Sequence, residues 1–165
     1  MVKLVVHDRF KLCCSGMGVW VRVPLELQLM IYVYNIHNED HSDKENCFYC
    51  GRTKDPITKL NCNPLGNPYT HNGVRSSLTK LSFKTRDEAI EAYGRYFDAA
   101  YGVDEGLTKA FDEIYEHYKN GEDVWLGCFC KPLSCHCDII ADRLQRKLIK
   151  EKMDERRKNK KTDIV

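Results

Sequence analysis

The chain has no apolar run long enough to cross a bilayer. Its longest uncharged stretch, Leu27 to Asn38, is too short and alternates in character. No apolar segment follows a basic start, so the expected setting is the cytoplasm and no membrane partner is expected. Also missing are a phosphate loop, Gly-x-Gly-x-x-Gly and Gly-x-Ser-x-Gly, which removes the commonest signatures of nucleotide hydrolysis, dinucleotide binding and serine hydrolysis. No internal repeat is evident. A strong charge of one sign is lacking too: the net charge is +2. That balance hides an asymmetry, because Arg143 to Lys161 carries ten basic against three acidic residues and leaves a mildly acidic body. A basic tail can contact nucleic acid, but no aromatic residues interleave with it for base stacking, and a solvated helix end is the simpler reading.

Cysteine is abundant. There are nine, an odd number, and they cluster, which suits reduced thiols or metal ligands better than a disulfide frame. Four of them and one histidine fall within Cys128 to Cys137, between the apolar run Val124-Trp125-Leu126 and a run with helical spacing. A strand, a tight loop and a helix start are therefore expected there, the corner at which α/β folds bring strand ends and helix N-termini to one crevice. Cys128 and Cys130, two apart, share a face. Two chemistries fit. Zinc accepts Cys128, Cys130, Cys135 and either His136 or Cys137, although a one-residue gap between paired ligands is uncommon. Alternatively, thiols at a helix start are acidified by the dipole, His136 acts as acid or base, and Asp138 orients it.

The remaining segments supply scaffold and further candidates. Val19 to Val33 carries apolar residues at every odd position, a strand signal interrupted by Pro24, and Ser15–Gly18 offers a turn before it. His37 and His41 lie in a polar segment and have the character of loop histidines. Cys47-Phe48-Tyr49-Cys50 looks like a zinc knuckle or a redox motif, yet on a strand its two thiols point to opposite faces, which argues against both. The following Gly51-Arg52 is more informative: glycine admits a close approach, and arginine forks onto phosphate or carboxylate. The loop 60–70 offers Asn63, Gly66, Asn67 and Tyr69 to a polar ligand, and 71–84 reads as loop or short hairpin. Thr85 to Glu88 is a capping box opening a helix through Ala100. A second helix is expected over about 105–120, with Leu107, Phe111, Ile114, Tyr115 and Tyr118 on one stripe. A third starts near His136.

Four motifs in order, Tyr-Cys-Gly-Arg (49–52), Pro-Leu-Gly-Asn-Pro-Tyr (64–69), Arg-Asp-Glu-Ala-Ile-Glu-Ala-Tyr (86–93) and Leu-Gly-Cys-Phe-Cys-Lys-Pro-Leu-Ser-Cys-His-Cys-Asp-Ile-Ile (126–140), resemble the "domain of unknown function 4326" family of small bacterial and phage proteins. The resemblance covers roughly residues 31 to 148. It implies Gly51, Arg52, Gly66, Asn67, Pro68, Cys128, Cys130, Cys135, His136 and Asp138 as motif positions, sets Cys137 aside, and suits the cytoplasm of a host if the chain is phage-encoded.

The expected architecture is one α/β domain, a mixed sheet flanked by helices, with an N-terminal β-hairpin extension (1–30), a core (31–149) and a basic C-terminal helical tail (150–165). The expected function is a pocket for a nucleotide or nucleoside-like molecule. Gly51, Arg52, Gly66, Asn67, Tyr69, Cys128 and Cys130 bind, and His136, Cys135 and Asp138 do any chemistry, hydrolysis or transfer at a glycosidic or phosphoryl centre. A non-catalytic protein that sequesters a nucleotide or binds a host protein is the alternative. A zinc-stabilised interaction module is another, with Cys128, Cys130, Cys135 and His136 as ligands.

Overall fold

The computed structural model describes residues 10–12, 19–21, 30–38, 44–52, 64–73 and 79–162. Among these residues ten elements follow in order: β1 Phe10–Leu12, β2 Val19–Val21, β3 Ile31–Asn35, β4 Cys47–Tyr49, β5 Tyr69–Thr70, β6 Leu81–Ser82, α1 Arg86–Ala100, α2 Glu105–Lys119, β7 Val124–Cys128 and α3 His136–Thr162. β1 and β2 pair antiparallel, Phe10 opposite Val21, as the expected hairpin requires. The turn 15–18, Cys13-Cys14, Pro24, His41 and Asn63 lie outside the described residues.

The central sheet has the order β3-β7-β4, with both ladders parallel. A parallel strand covered on both faces is a continuous apolar run. β7 shows this: all five of its residues, Val124 to Cys128, are buried. β5 and β6 form a second parallel pair, Tyr69 opposite Leu81. The α/β class with flanking helices is therefore as the sequence indicated. Among the described residues antiparallel pairing is confined to the N-terminal hairpin, and β6 pairs parallel with β5 rather than as the second arm of a hairpin.

The helices follow their local signals. Thr85 caps α1 in a capping box with Glu88, and Asp104, a cap the sequence reading passed over, accepts from the Leu107 N–H to start α2. The predicted stripe of α2 is its buried face: Leu107, Phe111, Ile114, Tyr115 and Tyr118. With Tyr93, Phe97, Leu126, Ile140 and Leu144 they make one core, each such side chain contributing about 1.5–3 kcal/mol on burial. α3 runs unbroken across the 149/150 division. Its inner basic residues are tied to the body: Arg143 forks onto Asp98 (2.7 and 2.8 Å), and Lys147 reaches Asp112 and the Tyr101 hydroxyl (2.7 and 2.9 Å). Of the described residues, no helix is long and apolar enough to cross a membrane.

Candidate functional site

Because β3, β4 and β7 are parallel, their C-terminal ends meet at one edge, and the segments that follow them build the site. Beyond β7 the chain turns through Phe129–Ser134 before α3 begins at His136. Asn35, buried at the end of β3, holds that turn: its Nδ2 donates to Phe129 O (3.1 Å) and Lys131 O (2.7 Å). Lys131 pairs with Asp138 (2.7 Å), whose other carboxylate oxygen accepts the Cys135 N–H (2.9 Å). The loop is thus fixed from both sides, and the asparagine that fixes it was not among the sequence candidates. A lone asparagine at a strand end carries no local signal.

The turn folds Cys128, Cys130, Cys135, His136 and Cys137 together. Cys128 Sγ stands 3.6 Å from Cys130 Sγ and 3.8 Å from His136 Nδ1, and Cys135 Sγ stands 3.6 Å from the same nitrogen. The ligand atoms of Cys128, Cys135, His136 and Cys137 all lie within 4.8 Å of one another, and these four residues are buried. Cys130 is half-exposed. Cys137, which the family resemblance set aside, therefore belongs to the cluster. His136 Nε2 is 2.8 Å from Cys50 O. A carbonyl only accepts, so Nε2 carries a proton and Nδ1 is the nitrogen turned toward the thiols. Asp138 was expected to orient His136. Cys50 O does so instead, while Asp138 serves the loop. The ring of Tyr93 packs edge-on against His136 at 5.1 Å, and its hydroxyl donates to Leu65 O (2.7 Å).

Crowding makes the thiols unequal. Hydrogen bonding from Cys130, then from Cys135 and Cys137, holds the Cys128 thiol far below its ordinary range, and the same contact with Cys128 drives Cys130 up. Cys135 comes down to about 6: its bond with Cys128 acts upward and is outweighed by those with Cys130, Cys137 and His136. Burial pushes Cys137 up. For His136 burial opposes protonation, but Cys128 and Cys135 prevail and hold its pKa above the ordinary value.

Over this cluster opens a cleft of about 500 Å³. Gly51, Arg52, Asn67, Tyr69, Cys128, Cys130, Cys135 and His136 line it, so most of the sequence-predicted residues are brought together. Gly66 stands behind the wall: a Cβ there would meet Arg52 Cα at 2.9 Å, so its lack of a side chain lets the 64–67 turn press against the Gly51-Arg52 backbone. Gly51 serves the chain itself, since the space its Cβ would fill holds the Tyr49 hydroxyl. Asn67 already accepts the Tyr69 N–H (2.8 Å). Arg52 donates to Thr79 (2.8 Å). Arg86, Lys131 and His71 also line the cleft and were not predicted as site residues; Arg86 was read only as part of a helix cap. Burial, and then Arg86, lower the His71 pKa. Phe129 adds an aromatic face, with the ring of His37 at 4.6 Å. Cys47 is absent from the cluster, as opposite strand faces predicted, whereas Cys50 borders it through its carbonyl.

No curated protein and no solved structure matches the chain. The sequence model of one family, described as a domain of unknown function (DUF4326), matches residues 34–146, which span every strand end and loop that builds this cleft, and the chain belongs to that family.

Proposed function

We propose that the cleft binds a phosphorylated, nucleotide- or nucleoside-like small molecule in a cytoplasmic setting, and that the protein holds this ligand without transforming it. One observation carries the reading: three stretches far apart in sequence converge on a single cleft whose charged side chains are all basic. Arg52, Arg86 and Lys131 face it, and no carboxylate is among the described lining residues. The volume suits a small ligand, since such pockets span roughly 300–1,000 Å³. Guanidinium groups match phosphate geometry with paired donors. Tyr69 and Phe129 offer faces for a base. The α3 N-terminus contributes less than the sequence suggested, because the Cys135 N–H is already taken by Asp138.

Binding without turnover is favoured over hydrolysis or transfer at a phosphoryl or glycosidic centre. His136 is buried, with Nε2 on a backbone carbonyl and Nδ1 among thiols, which is poor placement for a proton shuttle. A thermal-shift screen with nucleotides, nucleosides and inorganic phosphate tests the proposal, followed by calorimetry of the hits. Stabilisation by a phosphorylated nucleoside, lost in Arg52→Ala and Arg86→Ala, is the expected result. Phosphorus NMR of the bound ligand is expected to stay unchanged over hours. Conversion of the ligand would replace sequestration by catalysis, and no response to any phosphorylated ligand would end the reading.

A further inference from the structure

The thiol–histidine cluster has a chemistry that ligand binding does not use. We propose that Cys128, Cys130, Cys135 and Nδ1 of His136 hold one zinc ion in a closed tetrahedral site at the floor of the cleft. Four observations converge on it. Three of the six donor–donor separations have the length a single ion requires. With Zn–S near 2.3 Å and Zn–N near 2.0–2.1 Å, tetrahedral edges come to about 3.8 Å between two sulfurs and about 3.6 Å between sulfur and nitrogen. The Cys128–Cys130, Cys128–His136 and Cys135–His136 separations are 3.6, 3.8 and 3.6 Å.

The ring is also set for ligation. Its Nε2–H is committed to Cys50 O at 2.8 Å, and a histidine ligand characteristically gives its other N–H to such an acceptor. In addition, the Cys137 N–H donates to Cys135 Sγ at 3.4 Å, a hydrogen bond that supports a thiolate at the start of α3. Finally, the donors are sulfur and imidazole only, the set that selects zinc over magnesium or calcium. Binding expels every proton held on the three thiols and on Nδ1 and leaves Nε2–H in place, so the site carries one net negative charge.

Cys137 is the rival for the fourth position, since its sulfur is within 4.8 Å of the other three groups. It lies 3.8 Å from Nε2, the nitrogen turned away to Cys50 O, and the Cys130 thiol lies 3.6 Å from Cys128. We therefore assign Cys137 to the packing behind the site.

Elemental analysis of the purified full chain tests this, together with cobalt substitution read by visible absorption. The expected result is one zinc per chain, a tetrahedral thiolate spectrum with cobalt, loss of the metal in Cys130→Ser and Cys135→Ser, and retention in Cys137→Ser. Zinc well below stoichiometry with no thiolate-to-cobalt band would overturn the site. Retention in Cys130→Ser with loss in Cys137→Ser would overturn the ligand assignment. If the serine variants do not fold, the wild-type chain stripped by a chelator decides: readdition of zinc restores the melting temperature if the site exists, and no response refutes it. Neither readout depends on a nucleotide, so failure of the cleft reading would not be mistaken for failure of this one.

Discussion

β4 and β7 lie side by side, run the same way and end at the same edge, and each carries closely spaced cysteines, yet only one of them gathers its thiols. The difference lies in where the chain bends. Cys47 opens β4 and Cys50 follows its last residue, so an extended segment of about 10 Å separates them and turns them to opposite faces. Cys128 closes β7, and the chain then doubles back through 129–134, so that Cys130 and Cys135 return over it. At the β7 end the shared face of Cys128 and Cys130 and the returning turn together make the site. The β4 end contributes a backbone carbonyl to the centre that the β7 end builds from side chains.

The largest blow to that contrast is Cys135→Ser, which takes a donor from the β7 end. Loss of the metal and a destabilisation of at least ~3 kcal/mol are expected in denaturant unfolding, the size associated with losing a bound metal. Asn35→Ala unties the returning loop by removing both bonds to Phe129 O and Lys131 O. The His37 N–H bond to Oδ1 goes with them, and the three lost hydrogen bonds are expected to cost ~2–3 kcal/mol and to weaken metal retention in a chelator competition. Arg52→Ala acts on the β4 end alone. Tenfold to hundredfold weaker ligand binding by calorimetry, ~1.4–2.8 kcal/mol, is expected, with unfolding and zinc content unchanged. Gly66→Ala forces a methyl against the Arg52 backbone, for ~1–2 kcal/mol of strain in thermal unfolding. Cys47→Ser should do least. A change within ~0.5 kcal/mol and full metal content would keep the two strand ends distinct, whereas metal loss would erase the distinction.

How much of this was legible depends on how far apart the partners are. The α1 capping box and the α2 stripe are short-range patterns, and both helices appeared where Thr85–Glu88 and Leu107–Tyr118 put them. Val124-Trp125-Leu126 was readable as a strand, but its central position between β3 and β4 was not, because apolar runs do not name their neighbours. The convergence of Arg52, Asn67 and the Cys-His corner was foreseen from motif order. The roles inside the corner were less so. Asp138 sits two residues from His136 in sequence and was paired with it, while the actual partner, Cys50 O, is 86 residues away and is a backbone atom that no sequence pattern marks. Asn35 holds the loop over a similar span. Arg86 had already been explained as a helix residue, which hid its face on the cleft.

The strand order also sets a timetable for synthesis. β3 and β4 share no backbone ladder; each finds its strand partner in β7. Both therefore wait, as the chain leaves the ribosome, for a segment about 90 residues after the first of them. Closing contacts at that separation is slow. A nascent chain arrested before Val124 is expected to expose two unsatisfied strands, and the last strand made completes both the sheet and the corner that carries the cysteines.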